Sequence, residues 1–350
     1  MPLSKIVANS ITDDTITTDQ IADTSVHGRR NIIINGAMQV AQRGDVTGIT
    51  GANVFGGADR FATNGTAYGT VSLVQEADAP EGFAESQRVK FTTARSTTGA
   101  GDHFVIGTRL EGQDLQRFKK GTSNAESMTV SFYAKASQAT TIQLELYDSD
   151  NNRHAGKEFA ITTSWARYSY SFAGDTTGTF NNDNSLSMYV FFWLGAGTTW
   201  TSGTNPDGSW MAATNSRRVH SDVGTTFMDT LNAEFNLTGV QLEVGDKATP
   251  FEHRSFGEEL VLCQRYYEIN MMVTQSYANG SQHIGINASY MTTKRAAATV
   301  SWTNEAQGNM TGTAPEAIFR NRVDGAYAYQ YCAAAGNYFQ YYLFKADAEL

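Results

Sequence analysis

Apolar and polar residues alternate with a period of two over long stretches between residues 31 and 254. Ile142, Leu144 and Leu146 share one face of the run 141–147, and Tyr168, Tyr170 and Phe172 share one face of the run 166–172. Runs of this kind, closed by clusters of Gly, Asn, Asp and Ser, predict half-buried strands. Further strand-like runs cover 70–74, 87–91, 103–106, 128–134 and 186–194. The longest alternation is 235–244, with Phe235, Leu237, Gly239, Gln241 and Glu243 on one face and Asn236, Thr238, Val240, Leu242 and Val244 on the other. Gly245-Asp246 stops it, and Pro250 forbids a central strand position soon after. A long closing strand needs a partner. The segment 31–40, with the consecutive β-branched Ile32, Ile33 and Ile34, reads as the opening strand that pairs with it. About eight to ten strands with turn punctuation predict a β-sandwich. Pairing of the first strand with the last predicts a jelly roll.

The two ends follow other rules. Ile6, Ile11, Ile16, Ile21 and Val26 recur every five residues among Ser, Thr, Asp and Asn. A period of five fits neither helix nor strand, and a single chain this sparse in apolar residues buries no core. Residues 1–30 therefore read either as a disordered leader or as an extended attachment segment ordered by partners. The regularity of the period favours the second. At the other end, Ser255-x-x-Glu258 is a capping box before an apolar run, and predicts a helix from about 256 to 267 with Phe256, Leu260, Cys263 and Tyr267 on one face. Beyond it the chain returns to strand. Tyr327, Tyr329 and Tyr331 alternate with Ala326, Ala328 and Gln330, and a turn signal at 335–337 predicts a hairpin with the run 338–344. The tyrosine stripe serves either as core or as an oligomer interface. The expected organisation is an attachment segment (1–30), a jelly-roll sandwich (31–254) and a small β-rich domain led by one helix (255–350).

Composition narrows the function. Charged residues make up 17% of the chain, with a net charge of −9, which offers no surface for nucleic acid. No apolar run approaches the ~18 residues of a membrane-spanning helix, and the opening residues do not read as a signal peptide. The two cysteines, Cys263 and Cys332, make no disulfide framework and read as buried small hydrophobes.

Several segments carry a resemblance. Residues 31–44 (NIIINGAMQVAQRG), 110–118 (LEGQDLQRF), 128–135 (MTVSFYAK), 239–252 (GVQLEVGDKATPFE), 258–267 (EELVLCQRYY) and 346–350 (ADAEL) resemble bacteriophage tail-fibre and virion structural proteins, in the same order and over most of the chain. The resemblance implies a homotrimer located in the virion tail. It also implies that the leader attaches the chain to tail proteins such as an adaptor or nozzle. The implied function is host-surface recognition and adsorption through surface polysaccharide. The pattern 31–36 with 239–243 is also similar to jelly-roll carbohydrate-binding modules, many of which hold a structural calcium near these residues. Here Gln39 and Thr238-Gly239 stand where acidic residues are needed, so no metal is expected.

No catalytic constellation stands out. There is no phosphate-binding Gly-x-x-x-x-Gly-Lys-Ser/Thr loop, no His-Glu-x-x-His and no Gly-x-Ser-x-Gly, and the six histidines are scattered. The expected protein is not an enzyme and needs no cofactor. A polysaccharide-cleaving tail enzyme and a purely structural tail or decoration protein are the alternatives. The first candidate for receptor contact is the long polar loop from 195 to 226 with Trp200, Asn205, Asp207 and Trp210. Indoles on a loop stack on sugar faces while Asn and Asp bond hydroxyls; buried, the same indoles plug a core.

Overall fold

A computed structural model describes residues 29–350 apart from 97–98, 206 and 311–316, and the side chains of 317–320 are likewise not described. The pentad residues Ile6 to Val26 therefore lie outside the described residues. The first part of the chain forms strands β1 (Val46–Ile49), β2 (Val54–Phe55), β3 (Ala62–Thr66), β4 (Thr70–Glu76), β5 (Ser86–Thr93), β6 (His103–Glu111), β7 (Met128–Ala136), β8 (Thr140–Asp148), β9 (Arg153–Ile161), β10 (Ala166–Phe172), β11 (Leu186–Ala196), β12 (Met211–Ala212) and β13 (Glu234–Val244). They build a six-stranded sheet, β1-β4-β5-β13-β7-β10, and a seven-stranded sheet, β12-β9-β8-β11-β6-β3-β2. The pairings are antiparallel, and the chain crosses repeatedly from one sheet to the other, as a jelly roll requires. One continuous core lies between the sheets. It is built from the inward residues that alternation marked, such as Ile142, Leu144, Leu146, Phe172, Phe132 and Phe192.

The closing strand departs from strict alternation. Its pairing with β7 slips between Thr238 and Gln241, and Gly239 adopts φ +60°. The extra residue changes the phase, so Phe235, Leu237, Val240 and Leu242 all join the same core. Only glycine fits, because a Cβ at 239 would lie 2.7 Å from Phe83 and 2.8 Å from Tyr133. Behind the strand, Glu243 accepts from the Thr249 backbone at 2.9 Å, and Gln241 accepts from the Glu252 backbone at 2.8 Å. These bonds lay the segment after Gly245 back over the sheet.

The segment 31–40 is not the opening strand; it is a turn sealed against the closing strand. Asn31 Oδ1 accepts from Ile33 N and Leu242 N at 3.0 and 3.1 Å, and its amide donates to Val240 O at 3.1 Å. Asn35, at φ +60°, accepts from Val40 N and donates to Val40 O and Asp59 O. Asn side chains that bond neighbouring backbone outcompete a ladder. Gly36 fits because a Cβ there would meet Val240 O at 2.1 Å.

The helix spans Phe256–Gln264, and both halves of the Ser255–Glu258 capping box are formed. Its buried face is Glu259 and Cys263; Phe256 is exposed, and Tyr267 already belongs to a strand. Glu259 accepts from the Asn35 backbone at 2.6 Å, which joins the helix to the opening turn. There follow β14 (Tyr267–Ala278), β15 (Gln282–Ser289), β16 (Thr299–Gly308), β17 (Ala317–Asn321), β18 (Gly325–Cys332) and β19 (Gly336–Asp347), in two three-stranded sheets, β14-β19-β16 and β15-β18-β17. The expected hairpin does not form. The tyrosine strand β18 and the following β19 sit in opposite sheets and face each other across a second core that includes Ala326, Ala328, Tyr342 and Phe344. Alanine points inward from β18, and Tyr327, Tyr329 and Tyr331 stand on its outer face. The local turn signal was sound, but pairing is decided by which face each strand can bury. Paired side chains tie this unit to the jelly roll: Arg265 to Glu111 at 2.9 and 2.8 Å, Arg43 to Asp347 at 2.7 Å, and Arg60 to Glu349.

Candidate functional site: the outer face of the seven-stranded sheet

The residues of β6, β8, β9 and β11 that do not enter the core form a regular grid on the opposite face. Strand register aligns Arg109, Tyr189, Tyr147 and His154 in one row across the sheet. The next row holds Gly107, Phe191, Glu145 and Gly156, and the third Val105, Trp193, Gln143 and Glu158. An outward face with this many aromatics has to be covered or used.

The loop that follows β11 covers the third row. Trp200 packs on Trp193 and His103, with ring centroids 5.3 and 4.7 Å apart, and its indole N–H donates to Gly101 O at 3.1 Å. Asn205 donates to Gln143 and to the carbonyls of Arg217 and Arg218. Glycine at 156 leaves room for this cover, since a Cβ would come within 2.3 Å of the Gln143 amide. The structure does not bring the four loop candidates together. Trp200 and Asn205 sit on the outer face. Trp210 packs against the main core and donates to Ala173 O at 3.0 Å. Exposed Asp207 pairs with Lys157 at 2.5 Å. Both indoles are half-buried with their N–H groups used, rather than free on a loop tip.

Glu145, fully buried in the second row, holds the site rigid. Arg218 grips its carboxylate with two bonds of 2.8 and 2.7 Å, Trp193 donates at 2.8 Å, and His154 Nδ1 stands 3.2 Å away. Burial pushes such a carboxyl up, but the Arg218 charge and these contacts override it and hold the pKa down at about 2. The Arg218 guanidinium lies 4.5 Å from the centre of the Tyr147 ring, so the charge network also supports the first row.

In the first row His154 is fully buried, and the open part is the pair of tyrosines. Tyr147 and Tyr189 are half-exposed, with ring centroids 5.8 Å apart, and Tyr189 stacks on Phe191 at 4.6 Å. Arg109 flanks Tyr189, fixed by Asn53 at 2.5 Å and by the Leu350 carbonyl. The result is a two-ring shelf with guanidinium groups on its borders. Sequence reasoning missed Tyr147 and Tyr189 as a pair. They lie on separate strands, and each was legible only as one outward residue of its own alternation.

The Glu145 carboxylate is committed to its ion pair with Arg218. Glu158, His220 and Asp222 form the one grouping among the described residues in which three ligand atoms come within 4.8 Å of one another. There His220 Nδ1 accepts from Asp222 N at 3.2 Å and lies 2.8 Å from Glu158 Oε2. Elsewhere an oxygen cage made by Asp148, Asp175, Thr177 O and Gly178 O closes on the buried Lys120 ammonium, at 2.6 to 3.1 Å. A lysine charge thus fills a site whose donors would suit a hard cation.

No family model matches the chain, and no curated protein matches it. Solved structures do show similarity. The enzymatically active domain of bacteriophage CBA120 tailspike protein 4 aligns with 61% of this chain at 10% identity and a TM-score of 0.33; the match spans 21% of that tailspike chain. The family 11 carbohydrate-binding module of the cellulosomal cellulase Lic26A-Cel5E of Clostridium thermocellum covers 60% of the chain and 99% of its own length, at 12% identity and a TM-score of 0.29. The CBM22-1 xylan-binding domain of Paenibacillus barcinonensis Xyn10C covers 63% and 100%, at 10% identity and a TM-score of 0.30. At these scores the likenesses add nothing to the topology, which rests on the two sheets themselves.

Proposed function

We propose that this chain is a phage tail fibre or tail-associated virion protein that adsorbs to a host-surface polysaccharide without cleaving it. The observation that carries the sugar-binding reading is the open Tyr147–Tyr189 shelf on the outer face of the seven-stranded sheet, held by the buried Glu145–Arg218 pair. Two adjacent rings of this kind stack on successive apolar sugar faces. Phenol and guanidinium groups at the border bond the hydroxyls, and a pre-fixed site loses little side-chain entropy on binding. Trp200 extends the same face, while Trp210 and Asp207 serve the scaffold. The viral setting is supported by the ordered series of sequence segments that resembles tail-fibre proteins. The segments at 31–44 and 239–252 have a clear physical role, since they hold the opening turn and closing strand together. Assembly as a homotrimer, and attachment through the pentad leader, belong to the same proposal.

The test is retention of purified host polysaccharide by the full chain, with the polymer's length followed in the same sample. Retention without shortening, lost in Tyr147→Ala and Tyr189→Ala at unchanged melting temperature, is the expected result. Shortening of the polymer would assign the enzyme instead. Neither retention nor shortening would leave a structural tail component.

A further inference from the structure

The sheet β14-β19-β16 hides one face in the C-terminal core and leaves the other open. Met271 pairs with Leu343 and Val273 with Tyr341, so these four side chains stand together on the outward face. Phe339 joins them, its ring leaning over Gly308, where a Cβ would lie 2.5 Å away. Met271 is 57% exposed, Val273 50%, Tyr277 60% and Phe339 38%. An antiparallel sheet with one solvated face ordinarily carries polar residues there. Here β14 places no charged residue between Ile269 and Tyr277, and β19 none between Phe339 and Leu343.

We infer that copies of this chain associate through this face. Size supports a second copy: β14 is 12 residues long. β19 is also 12 residues long and β16 is 10. Together they present a footprint on the order of 500 Å², against the ~800 Å² each partner buries in a stable interface. The apolar residues of β14 and β19 lie at its centre, and the exposed polar row of β16 that includes Ser301 lies at its rim. Chemistry supports it too. Sugars require several convergent polar groups to bond their hydroxyls, and of the four central side chains only Tyr341 supplies one. A like apolar patch on a second copy matches it, as in permanent oligomers whose interfaces resemble a core cut in half. The face is distinct from the Tyr147–Tyr189 shelf, so the inference does not depend on sugar binding. It also competes with the tyrosine row of β18, where His283 stands edge-on to Tyr329 and Tyr331.

The experiment is light scattering on the intact protein after size-exclusion chromatography. The wild type is expected as a discrete oligomer, and Val273→Glu at the same concentration as a single chain. Val273 is half-exposed, so the charge disturbs little inside the protomer. Val273→Thr, similar in shape, is expected to keep the oligomer, and Met271→Lys to dissociate it as Val273→Glu does. A monomeric wild type would overturn the inference. So would a Val273→Glu oligomer as stable as wild type, above all if Tyr329→Glu dissociated instead, which would assign the interface to β18.

Discussion

Glu145 makes the stability of the outer face depend on acid. Its carboxyl titrates at about 2 in the folded protein against 4.5 for the ordinary group. A depressed carboxyl contributes stability that is fully present above the unfolded value and is lost as pH falls towards the folded one. The loss should therefore fall between about pH 4.5 and 2 and amount to about 3 kcal/mol. Glu145→Gln should remove this contribution to the acid-dependent slope. At neutral pH it should cost about 3–5 kcal/mol, because Arg218 is left buried without its counter-charge. Thermal unfolding of both proteins from pH 7 to 2 checks both statements; parallel curves would remove Glu145 from the acid response. The sequence offered no route to this residue. Arg218 lies 73 positions away, and a charged residue in an alternating strand reads as solvent-facing until a loop is known to fold over it. The tryptophans were half legible. Their aromatic character was plain, but whether a carbonyl would take each N–H depended on Gly101 and Ala173, remote in sequence.

Single elements were read well where the pattern was local, and poorly where it was not. The strands at 70–74, 87–91, 128–134, 141–147, 166–172 and 186–194 occur where alternation placed them. Strand β9 escaped because Arg153, Lys157 and Glu158 dilute its apolar positions. The helix was legible through its capping box. Ser255→Ala should cost about 1 kcal/mol, measured by denaturant titration, since one helical N–H loses its acceptor. The closing strand was legible as a strand but not as a bulged one. Its phase change rests on Gly239, whose positive φ cannot be seen in an alternation that merely looks interrupted. Gly239→Val should cost more than the ~1–3 kcal/mol of a strained backbone, because the new side chain must also displace Phe83 and Tyr133. A denaturation midpoint within error of wild type would show that the bulge is dispensable. The lost hairpin between β18 and β19 is the opposite case, in which a correct turn signal was overruled by the need of each strand to bury a different face.

At the scale of the whole molecule, ionic and hydrogen-bonded ties hold the first described residues to the closing segment and the helix. Arg29 pairs with Glu258 at 2.6 Å, and the backbone N–H groups of Arg30 and Asn31 donate to Glu252 at 2.5 and 2.8 Å. The fold is thus locked to its own closing segment from the thirtieth residue onward. Apolar residues spaced by five bury little in one chain, and the proposed attachment gives them partners on other chains. Deleting residues 1–28 should therefore leave a soluble protein with unchanged melting temperature and unchanged polysaccharide retention. Its occupancy on assembled particles, measured by quantitative mass spectrometry of purified virions, should fall to background. Loss of solubility on deletion would mean that the leader completes this fold rather than attaching it. Wild-type occupancy of the truncated chain would place the attachment surface within residues 29–350, where the exposed helix residue Val261, which lines one cavity with Arg29, would be the first place to look.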